Sequence, residues 1–271
     1  MASLTEIMNK HGSDKGSGHH NFTDYYEMLF EPMRERKMNI LEIGIGSINR
    51  NFPSSMVGVS GYKPGASLRG WREYFPNATV YGADIDPATM IDGEERIVTF
   101  LLDQGSEESL RKTITDREVV FDIIIDDGLH NFPINWKVMQ TIFSRLSPDG
   151  YYIIEDVMPQ EYLKTKLSGD FYKTVNMRYL AIPNPQNNAD NNLVIGRHKP
   201  HTIPPIPDDY LKIPPTPFTE EESNMIREFL GTLGKRKGIA KPSFQNLSKL
   251  LDTLLKLCTA EMPQCSESPA S

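Results

Sequence analysis

Apolar and polar positions alternate along the chain with two different periods, and this alternation predicts the fold class. Apolar runs of strand length lie at residues 40–46, 80–86, 98–102, 123–125 and 151–154. Amphipathic segments with a helical period separate them, such as Trp136 to Leu146. Strands and helices that alternate in this way form a mostly parallel sheet with helices on both faces. Val175 to Ile182 and Asn192 to Arg197 predict two further strands, which are expected to close the sheet as an antiparallel pair.

The two ends of the chain predict additional helices. Ser3 opens a capping-box pattern for a short helix, and a second helix is expected from Thr23 through Arg36. After a proline-rich stretch, two more helices are predicted to begin at Thr219 and Ser243. The apolar stripe of Leu247 to Leu255 must be buried against the body or against a second subunit, so a homo-oligomer is expected.

The stretch from Phe121 to Phe132 carries the strongest sign of chemistry. Its apolar run predicts a buried parallel strand, which is followed at once by Asp126, Asp127 and His130. Ligands of open α/β sheets bind just beyond the carboxyl ends of such strands. A polar turn, in which one of the two aspartates caps the next helix, explains the same pattern.

A second strand ends in the same way and favours the chemical interpretation. The apolar run of Tyr151 to Ile154 is followed by Glu155 and Asp156. Because neighbouring parallel strands end at one edge of a sheet, the two acidic pairs and His130 are expected to converge. Oxygen ligands of this kind suit a hard divalent cation such as Mg²⁺. The sequence therefore predicts a metal-assisted active site.

Glycines at the end of the first strand predict another part of this site. Gly44 and Gly46 follow the run of Ile40 to Ile43, and they let the backbone approach a ligand closely. A close-packed turn explains a lone Gly-x-Gly equally well. The next strand ends in Asp84, where a nucleoside ribose would be held through its hydroxyl groups. Between these strands, the polar insertion of residues 47–64 is either a candidate lid or a passive loop.

Composition narrows the class of function. The 271 residues carry a net charge of −7 at pH 7, which argues against general nucleic-acid binding. Cys258 and Cys265 are the two cysteines, so no disulfide framework supports the fold. No apolar run reaches membrane-spanning length, and the first residues lack the apolar core of a signal peptide. We expect a soluble cytoplasmic protein without nucleic-acid or membrane partners.

Several motifs together resemble those of class I S-adenosyl-L-methionine (AdoMet)-dependent methyltransferases, and more narrowly those of the macrocin and mycinamicin sugar O-methyltransferase family. The motifs that carry the resemblance are HGSDKGSGHH, LEIGIG, GASLRGWREYFPNATVYGADID, LLDQGS, IIIDDGLHNF and YYIIEDV. They span residues 11–197 and leave the tail after Pro200 uncovered. Leu129 departs from the family pattern, in which a small residue is common, and residues 131–133 depart from it too. The implied fold is a Rossmann-like α/β domain with a mostly parallel, seven-stranded sheet and helices on both faces.

The resemblance also implies a division of the chain. Residues 1–37 would form an N-terminal helical segment that covers the cofactor, and residues 38–200 the methyltransferase domain with its insertion at 47–64. Residues 201–271 would form a proline-rich linker and the C-terminal helices.

Roles for individual residues follow from the same resemblance. Glu42, Gly44 and Gly46 would contact the methionine part of AdoMet, Asp84 its ribose, and Asp103 with Gln104 its adenine. Further candidates for cofactor binding are Lys15, Ser67 and Asp126. Asp127, Glu155 and Asp156 would hold Mg²⁺, and His130 would be the general base beside Asp127.

The expected reaction is Mg²⁺-dependent methyl transfer from AdoMet to a sugar hydroxyl in a glycosylated natural product or a polysaccharide. A cation can orient such a hydroxyl and lower its pKa, and a histidine is suited to remove its proton. Two alternatives remain open: a metal-dependent hydrolase or oxygenase-like relative, and a catalytically silent AdoMet-binding scaffold. A nicotinamide dehydrogenase is disfavoured because the first turn lacks the Gly-x-Gly-x-x-Gly spacing.

Overall fold

A computed structural model describes residues 1–17, 19–165, 167, 169–182, 184, 187 and 189–206. The helices predicted to begin at Thr219 and Ser243, and the stripe of Leu247 to Leu255, fall outside these residues. Across the ranges that are described, every helix is too short or too polar to cross a membrane.

Helices and strands alternate along the described residues. The helices are α1 (Leu4–His11), α2 (Phe22–Phe30), α3 (Ala66–Tyr74), α4 (Glu107–Thr113), α5 (Phe132–Ile142), α6 (Pro159–Lys164) and α7 (Asp170–Thr174). The strands are β1 (Asn39–Ile43), β2 (Thr79–Asp84), β3 (Ile97–Leu101), β4 (Phe121–Asp126), β5 (Leu146–Ile154), β6 (Val175–Ala181) and β7 (Asn192–His198).

The strands form one sheet in the order β3-β2-β1-β4-β5-β7-β6. Strands β1 to β5 pair in parallel, and β7 runs antiparallel to both β5 and β6. The prediction of a mostly parallel, seven-stranded sheet closed by an antiparallel pair is confirmed. Strands β1 and β4 are neighbours although β2 and β3 lie between them in sequence, so the strand order reverses there. A crevice for ligands forms beyond the carboxyl ends of strands at such a reversal.

Both faces of the sheet are covered, because successive side chains of a strand point to opposite faces. In β4, Ile123 and Ile125 belong to one hydrophobic core, which also contains residues of α1, α2 and α3. Ile124 belongs to the other core, together with residues of α4 and α5. The two N-terminal helices therefore pack as part of the main body.

Helix α2 is shorter than the sequence predicts. Its α-helical part ends at Phe30, and the chain continues as a 3₁₀ turn over Glu31–Met33. Pro32 explains the change, because proline lacks the backbone N–H that would continue the α-helical hydrogen bonds.

Helix α5 begins at Phe132, four residues before the predicted start at Trp136. The side chain of Asn131 caps it by accepting a hydrogen bond from the backbone of Ile134, and Pro133 occupies the first turn. Because this cap directly follows His130, it fixes where the segment after β4 turns into the helix.

Candidate active site

A cavity of about 270 Å³ lies at the carboxyl edge of β1, β2 and β4. Its size is close to the lower end of the range of small-molecule sites, about 300 Å³. Among the residues on its wall are ten predicted site residues: Lys15, Glu42, Gly44, Gly46, Ser67, Asp84, Asp103, Gln104, Asp127 and His130. The sequence thus identified much of one continuous surface, to which segments far apart in the chain contribute.

The turn after β1 requires its two glycines. Gly44 and Gly46 have φ angles of 84° and 79°, a region that side chains with a Cβ rarely adopt. A Cβ on Gly44 would collide with the carbonyl group of Asp127, and one on Gly46 would collide with the hydroxyl of Tyr62. The backbone of the turn can therefore form the cavity wall only because these positions carry no side chain.

Asp84 fixes this glycine turn. One carboxylate oxygen accepts a hydrogen bond from the backbone of Ile45 at 2.9 Å, and the other accepts one from Asp86 at 3.0 Å. Burial raises the pKa of Asp84, although these backbone donors partly offset that effect. Each carboxylate oxygen has two lone pairs, so Asp84 keeps acceptor capacity for a ligand hydroxyl.

The insertion of residues 47–64 covers one side of the cavity, and its residues on the wall include Met56 and Tyr62. It is anchored near both ends. Ser47 Oγ lies 2.5 Å from Asp86 Oδ2, and the Tyr62 hydroxyl donates to the carbonyl of Ile45 at 3.2 Å. The expectation that this segment moves as a lid stays a prediction.

Glu42 and Ser67, both predicted to contact the cofactor, are bonded to each other. The Ser67 hydroxyl and the Trp71 indole N–H each donate to one oxygen of the Glu42 carboxylate at 2.7 Å. Glu42 is only 1% exposed, and burial raises its pKa while Lys15 acts in the opposite direction. This part of the wall is therefore rigidly held before any ligand arrives.

Asp126 lies behind the cavity wall rather than on it. Its position therefore does not provide the direct cofactor contact that the sequence predicted. It is fully buried, and its carboxylate accepts hydrogen bonds from the Gln104 amide at 2.5 Å and the Tyr152 hydroxyl at 3.4 Å. Burial raises the pKa of Asp126 to about 7. The carbonyl oxygen of Gln104 accepts from the backbone N–H of Leu129 at 3.1 Å. Asp126 thus supports Gln104, and Gln104 supports the turn that carries His130.

Lys15 extends from the N-terminal segment into the centre of the site. Its ammonium nitrogen lies 2.5 Å from Asp127 Oδ2, 2.5 Å from Glu155 Oε2 and 3.5 Å from Glu42 Oε1. Burial lowers the pKa of Lys15, but the surrounding carboxylates more than offset this and raise it well above its ordinary value. The side chain is only 2% exposed, so a permanent positive charge is enclosed among three carboxylates.

Glu155 is bonded through both of its carboxylate oxygens. Lys15 contacts Oε2, and the hydroxyl of Tyr26 donates to Oε1 at 2.5 Å. Burial raises the pKa of Glu155 well above its ordinary value, although Lys15 opposes the shift. The sequence indicated only that Tyr26 belongs to an apolar stripe, and its hydroxyl contact was missed. A buried tyrosine usually needs a hydrogen-bond partner, which is the one signal that could have suggested it.

His130 lies on the cavity wall beside two carboxylates. Its Nε2 lies 3.2 Å from Asp127 Oδ1 and 3.5 Å from Asp156 Oδ2. Burial alone would lower the pKa of His130, but Asp127 and Asp156 raise it to about 10. A proton on Nε2 points at the carboxylates, so Nδ1 is the ring atom left for an incoming group. His130 and Asp156 have positive φ angles of 47° and 54°, a strained conformation that is frequent at functional sites.

The residues beside His130 fit a divalent cation. Asp127, His130 and Asp156 each place one ligand atom within 4.8 Å of the others. Asp156 Oδ1 is buried without a hydrogen-bond partner among the described residues. Burial and the nearby charge of Asp127 raise the pKa of Asp156 well above its ordinary value, so a bound cation would favour its ionised form. Two of the three predicted metal ligands lie in this group, whereas Glu155 contacts Lys15 and Tyr26 instead.

His20 lies on the opposite side of Asp156. Its Nδ1 is 3.6 Å from Asp156 Oδ1 and 3.1 Å from Asn191 Oδ1. The amide nitrogen of Asn191 donates to the carbonyl of Ile182, so its oxygen faces His20 and the Nδ1 atom carries the proton. Burial lowers the pKa of His20, which favours the neutral ring. The sequence placed His20 in a flexible polar segment without assigning it a role, and the structure shows its ring bonded to Asn191 and close to Asp156.

Proteins similar to this chain include several that are named as O-methyltransferases. No protein-family model matches the chain. The chain is 38% identical over 154 residues to 8-demethyl-8-alpha-L-rhamnosyl tetracenomycin-C 2'-O-methyltransferase of Streptomyces olivaceus, which covers 57% of this chain and 37% of the relative. It is 35% identical over 161 residues to mycinamicin VI 2''-O-methyltransferase of Micromonospora griseorubida. That match covers 57% of this chain and 36% of the relative. The chain therefore spans just over a third of the length of these curated relatives.

A solved structure shares the fold. The MycE methyltransferase of the mycinamycin biosynthetic pathway, solved in complex with Mg, SAH and mycinamycin VI, matches with a TM-score of 0.57 at 26% identity. The match covers 75% of this chain and 57% of that one. The predicted Rossmann-like methyltransferase fold is confirmed, and so is the resemblance of this chain to the macrocin and mycinamicin group of sugar O-methyltransferases.

Proposed function

We propose that this chain is an AdoMet-dependent O-methyltransferase that acts, with Mg²⁺, on a hydroxyl group of a sugar. The observation that carries the proposal is the position of His130, which lies beside Asp127 on the wall of a cavity where the strand order reverses. Relatives named as O-methyltransferases support the reaction class. The Mg and SAH of the MycE complex support the choice of metal and cofactor.

In this proposal, residues of the cavity wall contact AdoMet. The bare backbone at Gly44 and Gly46 would approach its methionine part, and the spare lone pairs of Asp84 would accept from ribose hydroxyls. Gln104 and Asp103 stand on the wall farther along, where the adenine would lie. When bound, AdoMet supplies an activated methyl group.

His130 is the general base in this proposal. Nε2 lies 3.2 Å from Asp127 Oδ1, so a proton on Nε2 would be held by this carboxylate and Nδ1 would accept the hydroxyl proton. The raised pKa means that the ring is protonated while both carboxylates act on it, so it must lose that proton before it can work. When bound by Asp127 and Asp156, Mg²⁺ would weaken the pull of these carboxylates on the imidazolium and acidify the acceptor hydroxyl.

The proposed acceptor class rests on the names of the relatives and not on the shape of the cavity. One relative is named for a rhamnosyl tetracenomycin, and another for mycinamicin VI. A hydroxyl in a glycosylated natural product or a polysaccharide is therefore the acceptor we propose. Leu129 is 44% exposed beside His130 and offers an apolar contact to the part of such a molecule that reaches the base.

The test is a transfer assay with the full chain, labelled AdoMet and a panel of glycosides that carry vicinal hydroxyls. Labelled product should form, disappear with EDTA and return with Mg²⁺. His130→Ala should lower the rate by about 10²–10⁴-fold and leave the calorimetric Kd for AdoMet nearly unchanged. His11→Ala is the matched control, because His11 is a surface histidine paired with Glu73.

Each failure of this assay has a distinct meaning. Full activity in EDTA would remove the metal from the mechanism, and nearly normal activity of His130→Ala would remove the base. AdoMet binding without transfer to any sugar would favour the scaffold alternative. Absence of AdoMet binding would reject the proposal as a whole.

A further inference from the structure

Four carboxylates from three neighbouring strands lie at one edge of the sheet, and three of them pair with a single ammonium group. Glu42 lies in β1, Asp127 follows β4, and Glu155 and Asp156 follow β5. Lys15 pairs with the first three of these carboxylates at 3.5 Å or less. It reaches them from a segment that is 112 residues from Asp127 and 140 residues from Glu155 in the chain. The charge balance of the site therefore depends on a residue outside the strands that form it.

The oxygens of these carboxylates are divided between partners in a specific way. Asp127 uses one oxygen for Lys15 and the other for His130. Glu155 uses one oxygen for Lys15 and the other for Tyr26. Asp156 Oδ1 is the atom left without a hydrogen bond within the described ranges. A cation that binds Asp156 and Asp127 therefore shares the Asp127 carboxylate with the ammonium of Lys15. A cation that reaches Glu155 meets two oxygens that Lys15 and Tyr26 already contact.

We propose that Lys15 is an internal counter-cation that competes with the divalent cation for Asp127 and Glu155 and so limits how tightly that cation is held. The inference rests on the proposed function only in taking a divalent cation as the ligand of this group. Lys15 is then a positioning residue with an electrostatic role, and its effect on metal affinity has a sign that a purely structural role would not give.

The expected sign follows from Coulomb's law. An ammonium that touches the metal-binding carboxylates repels a second cation at short range, and the low solvent exposure of the group reduces screening. Neutralising Lys15 removes this repulsion and frees one oxygen of Asp127 and one of Glu155. Cation affinity should therefore rise. If Lys15 acted only as a scaffold for these carboxylates, its loss would disorder them and cation affinity would fall.

The experiment measures Mn²⁺ binding to the full chain by calorimetry, without AdoMet, in the wild type and in Lys15→Met. Methionine keeps an unbranched side chain of similar length and removes the charge. The variant should bind Mn²⁺ more tightly by about tenfold or more, because a unit charge at contact distance is worth at least that factor. Added Mn²⁺ should also raise the Tm of Lys15→Met more than that of the wild type. Lys10→Met is the matched control, since Lys10 is 63% exposed and pairs with Glu73 at the surface.

A second variant decides the question if Lys15→Met does not fold. Glu42 contacts Lys15 but lies outside the group of possible metal ligands. Glu42→Gln leaves Lys15 with two carboxylates in place of three, which strengthens its hold on Asp127 and Glu155. Mn²⁺ binding should therefore weaken in Glu42→Gln, the opposite of the change in Lys15→Met.

The outcomes separate this inference from the proposed function. Wild-type binding with equal or weaker binding by folded Lys15→Met overturns the inference and leaves the metal proposal intact. Unchanged affinity in Glu42→Gln overturns the inference as well. No Mn²⁺ binding by either the wild type or Lys15→Met overturns the metal proposal and this inference with it.

Discussion

The hydrogen bond from Tyr26 to Glu155 offers a test of the charged centre that needs no ligand. Tyr26 and its neighbour Tyr25 are both fully buried. The Tyr26 hydroxyl donates to a carboxylate oxygen at 2.5 Å, whereas the Tyr25 hydroxyl donates to the backbone carbonyl of Pro204 at 2.7 Å. Replacement of either residue by phenylalanine keeps the ring and removes one donor. The pair therefore compares a hydrogen bond to a carboxylate with a hydrogen bond to a neutral acceptor.

The magnitudes follow from the type of acceptor. Burial raises the pKa of Glu155, but the ammonium of Lys15 at 2.5 Å favours its ionised form. Loss of a hydrogen bond to a charged group costs about 1.5–3 kcal/mol, and loss of one between neutral groups about 0.5–1.5 kcal/mol. We expect Tyr26→Phe to lower the free energy of unfolding by about 1 kcal/mol more than Tyr25→Phe does, which corresponds to a further 2–4 °C in Tm. Urea unfolding at constant pH, followed by circular dichroism, measures the difference. An equal or smaller loss in Tyr26→Phe would show that Glu155 is not held as an anion by this donor.

Three further predictions concern the cavity and its rim. Gly44→Ala should weaken AdoMet binding about tenfold or more and destabilise the fold by about 2–4 kcal/mol, because it combines a collision with backbone strain. Gly12→Ala has a similar φ angle of 78° and open space around the added Cβ, so it reports the strain alone in the same calorimetry and urea experiments. Gln104→Ala should lower kcat by about 10–100-fold with unchanged Mn²⁺ affinity, because Gln104 supports the turn that carries His130. Asp103→Ala is the control, since it leaves this turn supported. A parallel loss of Mn²⁺ binding in Gln104→Ala would contradict the supporting role of Gln104. AdoMet with acceptor should protect residues 47–64 from protease if the insertion closes over the cavity, and equal cleavage with and without ligands would show that it does not.

The fold could be predicted from the sequence because the patterns that determine its strands and helices are local. Buried parallel strands need continuous apolar runs, and each run that predicted a strand lies in the sheet. The ends of strands were also visible, since Gly44 and Gly46 and the acidic pairs interrupt the apolar runs abruptly. The prediction of helix ends was less accurate where a proline or a cap determines them, as Pro32 does for α2 and Asn131 for α5.

The candidate site could be predicted only as far as strand order determines it. Asp127, His130 and Asp156 converge because β4 and β5 are parallel neighbours, which the alternation of elements already implied. The bonds that complete the site depend on packing between distant segments. Lys15 and Tyr26 reach Glu155 from more than a hundred residues away, and no local period reports such a contact.

These distant contacts change how the N-terminal segment is understood. A segment that only covered a cofactor would present side chains to the cavity, but this one also directs Lys15, His20 and Tyr26 at the carboxylates that end β4 and β5. Lys15 supplies a positive charge, and Tyr26 supplies a neutral donor to Glu155. His20 lies 3.6 Å from Oδ1 of Asp156, an atom without a hydrogen bond among the described residues. Because a buried carboxylate group is stable only when its charge is offset or its oxygens are bonded, the strands alone could not hold this arrangement. The chemical centre is therefore built jointly by the sheet edge and by residues 15–26, and variation in that short segment is expected to change metal affinity without altering the sheet.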